Sequence, residues 1–303
     1  MIHFILMEEF KSVFSSYGIT KRLWDQLCSE IIEGSATYFY ETTRTCALLI
    51  LFYVLICFLF YYFQDNFSHK VLNNEIVKNS RRILLVIAHP DDECMFFGPV
   101  ILTLTKKSDC QLFVLCLSNG HFRKLGPKRK QELWDSCTTL GIPDSHITLC
   151  NNPFMQDDPT VVWRKDEVAQ VILEQVESLD IDTVLTFDED GVSGHYNHIS
   201  IFNAMSYMLT KNILPNDCKV YTLQSINIFR KYSFYMDLLM THITSGIICK
   251  VKKDEYNTIK KAMEQHKTQY VWFRKLYIRF SRYSFINSFR EIDSSCFDFD
   301  IDE

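Results

Sequence analysis

The sequence predicts an α/β fold: a Rossmann-like three-layer αβα sandwich with a mostly parallel sheet, preceded by one transmembrane helix. Three observations predict it. From Ser80 onward, short apolar runs alternate with segments of helical period, the signature of βαβ units. The run Ile83-Leu84-Leu85-Val86-Ile87 is uninterrupted and partly β-branched, as a strand covered on both faces of a parallel sheet must be. Cys46 to Phe63 runs for eighteen residues without a charge, about the minimum length that crosses a bilayer.

Before that apolar run, Lys21 to Glu33 reads as a short amphipathic helix. Thr20 is its N-cap, Gly34 its stop, and Leu23, Trp24, Leu27 and Ile31 share one face. The apolar run lies too far from the N-terminus to be a cleaved signal peptide. It ends in Phe60-Tyr61-Tyr62-Phe63, an aromatic belt at a membrane interface. The twenty residues before it hold one basic residue, Arg44; the twenty after it hold four, Lys70, Lys78, Arg81 and Arg82. That bias places the following domain in the cytosol. Asn66-Phe67-Ser68 has the form of a glycosylation acceptor, but on that face of the membrane it stays unmodified.

Strands are expected at Ile83–Ala88, Gln111–Leu117, Asp182–Phe187 and Lys219–Leu223. Helices are expected near Glu93–Leu104, Lys128–Leu140, Lys165–Ser178 and Asn197–Leu209. Phe234 to Cys249 is apolar too, but Asp237 and His242 argue against a second span. From Tyr270 to Phe289, Arg274, Lys275, Arg279 and Arg282 interleave with aromatic residues. Such a mixture suits a lipid headgroup surface, or equally a helix packed on the domain through its aromatics. The organisation is therefore an N-terminal extension at 1–45, a transmembrane helix at 46–63, a linker at 64–81, a catalytic domain at 82–250, and a C-terminal aromatic-basic region with an acidic tail at 251–303.

The 303 residues suffice for one sizeable α/β domain, and the net charge of −5 gives no global signal for nucleic acid. Eleven cysteines contain no C-x-x-C pair, which excludes zinc-knuckle spacing and gives no disulfide framework. Cys94 has the character of a small buried residue rather than a nucleophile.

Chemistry concentrates in two clusters. Ala88-His89-Pro90-Asp91-Asp92-Glu93 follows the first strand, so an imidazole and two adjacent carboxylates emerge where ligands bind in open α/β sheets. Taken alone, this is also an ordinary strand-to-helix turn with Asp91 or Asp92 as N-cap. Gly194-His195-Tyr196-Asn197-His198 follows the strand at Thr183–Phe187 and opens a helix, with two histidines on neighbouring positions of one face. Together the clusters supply three groups able to bind a borderline cation such as Zn²⁺ and two spare polar groups. No G-x-G-x-x-G follows the first strand, which disfavours a dinucleotide site.

These residues resemble the LmbE-like, or PIG-L, de-N-acetylases, and most of all their eukaryotic branch, which acts on N-acetylglucosaminylphosphatidylinositol. The resemblance runs from about Arg82 to Glu291. It includes the first cluster, Arg129-Lys130-Gln131-Glu132-Leu133, Leu140-Gly141-Ile142-Pro143, the stretch from Phe187 to His198, Leu223-Gln224-Ser225-Ile226-Asn227 and Trp272-Phe273-Arg274-Lys275-Leu276-Tyr277. It implies a zinc-dependent amidohydrolase of the endoplasmic reticulum membrane that removes acetate from the glycolipid during GPI-anchor assembly. His89, Asp92 and His198 would be the metal ligands, Asp91 the general base, and His195 the stabiliser of the oxyanion. Arg129, which matches a family position, would face a phosphate or inositol group unless it is only a surface helix charge, and Asp158, in Gln156-Asp157-Asp158-Pro159, would bind sugar hydroxyls or equally be a turn residue. A cationic His195 requires a raised pKa and hence a carboxylate beside it. Asn197 stands where bacterial relatives often carry an acid, which leaves that partner open. His121 is a further departure, standing where relatives usually carry Asn.

Three other readings compete. A de-N-acetylase of a soluble N-acetylglucosamine conjugate would not need the span or the aromatic-basic tail. A catalytically inactive membrane scaffold would be expected to have lost a ligand or the base, and all five inner positions are present. A nucleotide-binding α/β module would need the missing glycine loop.

Overall fold

The computed structural model describes residues 21–67, 76, 80–120, 125–158, 161–233 and 236–297. Two compact units divide between Phe63 and Gln64.

Most of α1 (Lys21–Phe67), a single helix of 47 residues, lies in the first unit. The stop expected at Gly34 is absent. One interior glycine costs only about 1 kcal/mol. The hydroxyls of Thr37, Thr42, Thr43 and Thr45 each donate to the carbonyl four residues back, so the polar stretch keeps its hydrogen bonds within the helix. Asp25–Ile56 is long and apolar enough to cross a membrane. At about 1.5 Å per residue, 47 residues extend roughly 70 Å, more than twice a hydrocarbon core of about 30 Å. The expected cap at Thr20, Ser68 and most of the linker lie outside the described residues.

The second unit is built on one sheet of seven strands in the order β3-β2-β1-β4-β5-β7-β6. They are β1 (Arg82–Ile87), β2 (Gln111–Cys116), β3 (Ile147–Leu149), β4 (Thr183–Phe187), β5 (Lys219–Leu223), β6 (Ile247–Lys250) and β7 (Ile286–Ile292). β1 to β5 pair in parallel; β7 runs antiparallel to both β5 and β6. The sheet is thus mixed but mostly parallel. Ile83 to Ile87 are all buried, which accounts for the unbroken apolar run.

Helices connect the parallel strands: α2 (Gly98–Leu104), α3 (Gly126–Thr139), α4 (Lys165–Ser178) and α5 (Tyr196–Thr210), with α6 (Lys253–Gln265) and α7 (Trp272–Phe280) later in the chain. α4 shows why such segments are helical. Val168, Ala169, Ile172 and Val176 recur at helical spacing and are buried, while Asp166 and Glu167 complement the positive end of the helix in its first turn. α4 packs on α5, and α3 on α6. Right-handed crossovers put these two pairs on opposite faces of the sheet, because the strand order reverses after β3. The single helix expected over Glu93–Leu104 is two, Asp92–Met95 and α2, broken at Phe96 and Phe97.

The C-terminal region does not stand apart from the sheet. β7 inserts between β5 and β6, so the compact unit closes only with residues beyond 251. The apolar stretch that Asp237 and His242 argued was no second span holds a nine-residue helix, Met236–Thr244, followed by β6. Its Asp237 and Arg282 form an ion pair, with Nε to Oδ2 at 2.8 Å and both side chains fully buried. Thr241 Oγ1 donates to the same carboxylate at 2.8 Å. Asp237→Ala strands a buried guanidinium and is expected to destabilise this unit by about 3–5 kcal/mol. Thermal inactivation of the purified chain measures it; an unchanged midpoint contradicts the role of the pair.

Candidate metal centre

β1 and β4 are neighbours at the point where the strand order reverses: the chain leaves β1 toward β2 and leaves β4 toward β5. The crevice beyond the carboxyl ends of two such strands is where open α/β sheets bind ligands. His89 to Glu93 follow β1, and His195 and His198 follow β4. The topology therefore brings both clusters together.

Asp92 lies at the centre. Its Oδ2 accepts the backbone N–H groups of Ala88 at 3.1 Å and His89 at 2.9 Å. The same oxygen is 3.6 Å from His89 Nδ1 and 3.3 Å from His198 Nε2. Burial opposes ionisation, but the His198 and His89 rings outweigh it and hold this carboxyl well below its usual range. Ligand atoms about 2.0–2.1 Å from a tetrahedral ion lie roughly 3.3–3.5 Å apart, so these spacings suit a cation between the three groups.

His198 fits that role in a second respect. Its Nδ1 donates to the Gly191 carbonyl at 3.0 Å, leaving Nε2 with its lone pair. That nitrogen is buried and has no hydrogen-bond partner among the described residues. The ring stacks on Phe187 at 3.9 Å with an interplanar angle of 2°, which fixes its plane. Gly191 is required where it stands: its φ is +56°, and a Cβ there would lie 2.8 Å from His198 Cβ. His89 is oriented from its other nitrogen, Nε2, which meets Asn197 Oδ1 at 2.9 Å and Asp157 Oδ1 at 3.2 Å. Burial alone would lower the His89 pKa, but Asp92, Asp157 and Asn197 raise it.

Asp91 is buried and adopts φ +116°, a left-handed backbone that costs a non-glycine residue about 1–3 kcal/mol. Glu93 braces it. Glu93 Oε2 accepts the Asp91 N–H at 3.0 Å, and Oε1 meets Ser136 Oγ at 2.5 Å and His266 Nε2 at 2.6 Å. Glu93 and His266 are both fully buried. Arg274 Nη2 lies 3.0 Å from Asp91 Oδ2, and Arg129 Nη2 3.6 Å from Oδ1. Burial raises the Asp91 carboxyl above its ordinary range against the pull of both arginines. Cys94 is buried next to this turn, and burial pushes its thiol well up, which disfavours the nucleophilic thiolate.

His195 is the N-cap of α5, with its Nδ1 accepting the Asn197 N–H at 3.3 Å. The raised pKa that a cationic role requires is not found. Partial burial, with His89 and His198 close by, pushes it down to about 4. With Nδ1 accepting, the neutral ring carries its proton on Nε2. His195 is thus a neutral hydrogen-bond donor at physiological pH. The nitrogens of His89, His195 and His198 lie within 4.8 Å of one another, so a three-histidine set is also geometrically available. Asp92 is closer to both His89 and His198 than that limit.

Of the other two predicted residues, Arg129 is in the site but turned inward. It donates to Pro90 O at 2.6 Å and Gly120 O at 3.3 Å, and pairs with Asp157 at 2.7 Å. Gly120 permits this approach: at φ +67°, a Cβ there would meet the guanidinium at 2.5 Å. From this loop Asp157, the neighbour of Asp158, reaches the site. The loop lacks any periodicity that distinguishes the two. His121 lies outside the described residues. Asn197, Asp157, Arg274, Glu93 and His266 are the site residues whose roles sequence reasoning did not find. Glu93 and Asn197 had a signal in their places within the two clusters, and Arg274 in the resemblance motif at 272–277; Arg274 and His266 come from more than 170 residues away in sequence.

Comparison with known proteins identifies the family. The family profile described as PIG-L: GlcNAc-PI de-N-acetylase matches residues 84–209. A Bos taurus protein named N-acetylglucosaminyl-phosphatidylinositol de-N-acetylase is 45% identical over 208 residues, covering 68% of this chain and 82% of its own. A Dictyostelium discoideum protein named as a probable enzyme of the same kind is 35% identical over 266 residues, covering 76% of this chain and 99% of its own. Among solved structures, N,N'-diacetylchitobiose deacetylase from Pyrococcus horikoshii shares the fold, with a TM-score of 0.56 at 15% identity over 77% of this chain and 94% of that one. With both motif clusters inside the matched region and meeting at one crevice, the chain belongs to the GlcNAc-PI de-N-acetylase (PIG-L) family.

Proposed function

We propose that this chain hydrolyses the N-acetyl group of N-acetylglucosaminylphosphatidylinositol, giving the free amine and acetate within GPI-anchor assembly, with a divalent cation, most naturally Zn²⁺, held by His89, Asp92 and His198. The observation that carries the reading is the orphaned, buried lone pair of His198 Nε2 facing Asp92 Oδ2 at 3.3 Å, beside a second carboxylate, Asp91, that no ligand role consumes. The relatives named above carry the same substrate in their names, which supports the choice of glycolipid. The helix able to cross a membrane suits a lipid-borne substrate, and the basic flank after it supports a cytosolic catalytic unit at the endoplasmic reticulum membrane.

Amide hydrolysis needs a deprotonated water, a donor to the oxyanion and an acid for the leaving nitrogen. A divalent cation bound at such a site lowers the pKa of water and polarises a carbonyl. Asp91 takes the proton from water as the new C–O bond forms. Its raised pKa makes it a better base than an ordinary carboxylate, and it returns the proton to the glucosamine nitrogen as the C–N bond breaks. His195 donates its Nε2–H to the amide oxygen as charge builds there, acting neutral rather than as a cation. Asn197 holds the His89 ring, and Trp163 is buried against its edge. Arg129 shapes the wall through Pro90 and Asp157, while Arg274, partly exposed, sets a positive charge beside the base where a phosphodiester can be met. Asp158 is assigned to the sugar side of the same loop.

Acetate release from radiolabelled N-acetylglucosaminylphosphatidylinositol by the purified chain tests the activity. It should stop with a chelator and return with added Zn²⁺; no release under any metal condition sinks the proposal. Asp91→Asn should keep the metal content and lower kcat by about 10²–10⁴-fold. Loss of metal in that variant would make Asp91 a ligand. His195→Ala should lower kcat by about 10²–10³-fold with little change in KM, and His195→Gln, which retains a donor, should recover part of it. Because the folded pKa is depressed, His195 is already neutral throughout the neutral and alkaline range. Any alkaline fall in rate should therefore persist in both variants, and its disappearance would restore the cationic role.

A further inference from the structure

α7 has two faces. Inward, Arg274 reaches the Asp91 carboxylate at 3.0 Å, Ile278 is buried, and the Tyr277 ring meets Phe96 edge-on at 5.8 Å. Outward, Trp272 is 72% exposed, and Phe273, Leu276 and Phe280 are exposed with it. Residues 272, 276 and 280 recur every four positions, so they form one strip along the helix.

A second helix repeats the pattern. Ile228-Phe229-Arg230-Lys231-Tyr232 has the same order of apolar, Phe, Arg and Lys as Trp272-Phe273-Arg274-Lys275. Phe229 is 84% exposed, and Ile228 and Tyr232 are exposed beside it. The two helices are tied together. Lys231 Nζ sits 5.3 Å from the centre of the Tyr277 ring and 5.9 Å from that of Tyr283. Arg230 and Arg282 share Asp237 between them. Over both helices there are five basic residues and no acidic one.

Large exposed aromatics in a soluble surface carry a cost in water and mark a contact. Aromatic rings mixed with Arg and Lys, with no acid, are the composition of a bilayer interface, where rings sit at headgroup depth and cations meet lipid phosphates. The same chain carries a helix able to cross a membrane, so a bilayer is at hand. We propose that Ile228–Tyr232 and Trp272–Phe280 together form a second, peripheral membrane contact, inserting Phe229, Trp272, Phe273 and Phe280 at headgroup depth. Arg274 belongs to that helix and touches the proposed base, so docking sets the reacting centre at the lipid surface. That last consequence rests on the proposed lipid substrate; the docking itself does not.

The test uses the full chain reconstituted in phosphatidylcholine bilayers, with and without phosphatidylserine, and requires no turnover. The difference in emission between wild type and Trp272→Phe isolates Trp272 from the other tryptophans. Brominated-acyl lipid should extinguish most of that difference, aqueous acrylamide little of it, and phosphatidylserine should strengthen the lipid quenching. The double variant Phe229→Trp, Trp272→Phe moves the reporter to the other helix and should behave alike. Quenching by acrylamide but not by lipid would overturn the proposal, since the face then stands in water. Protection from both would overturn it in favour of a protein contact, including a second copy of the chain. Failure of acetate release with lipid quenching intact would strike the reaction and leave the docking standing.

Discussion

A single carboxylate oxygen, Asp92 Oδ2, organises the site. It is buried, it receives two backbone N–H groups from the end of β1, and it faces both His89 and His198. The two amides fix its position before any side chain is considered, because they directly follow a strand at the centre of the sheet. A buried anion of this kind is costly unless it is compensated. Two amide donors supply part of the compensation, and a divalent cation between the three side chains would supply the rest.

The rest of the crevice follows from that constraint. With Asp92 turned back to the strand, Asp91 faces the other way, and its backbone takes a conformation that few side chains tolerate. The strain is held by Glu93, itself clamped by Ser136 and His266 in the fully buried layer behind. One tripeptide, Asp91-Asp92-Glu93, thus places a candidate ligand, a candidate base and a brace on three sides of one turn. The His195–His198 loop is held by a parallel device. Asp188 at the end of β4 accepts both the N–H and the hydroxyl of Ser225, and Ser225 Oγ in turn accepts the Val192 N–H at 2.7 Å. Val192 has φ +63°, a second strained residue in the same crevice. Strain at both mouths of the switch point is what a preorganised site requires.

Much of this was legible in the sequence because its period is short. β1, β2, β4 and β5 are mainly apolar or β-branched runs, and α4 and α5 show helical spacing, so their positions are readable to within a residue or two. β3 is three residues long and β6 four, below the length at which periodicity speaks. β7 hides within an aromatic-basic tail whose composition points to a surface, yet its residues pair on both sides. The two motif clusters announced His89, Asp91, Asp92, His195 and His198. Their electrostatics were not readable, because a pKa depends on what packs against a group. Partial burial of the His195 ring, with two other imidazoles beside it, inverts the expected shift. Arg274 on α7 and His266 just after α6 are single residues far along the chain, and no local pattern ties either to a turn after β1.

The most direct test of the central claim is the coordination shell of the loaded protein. X-ray absorption at the zinc edge of the full chain, with one equivalent of Zn²⁺, should show two imidazoles and at least one carboxylate oxygen. Asp92→Ala should lose that oxygen together with stoichiometric binding. A three-imidazole shell that survives Asp92→Ala would contradict the account, moving His195 into the ligand set and leaving Asp92 a structural residue of the turn.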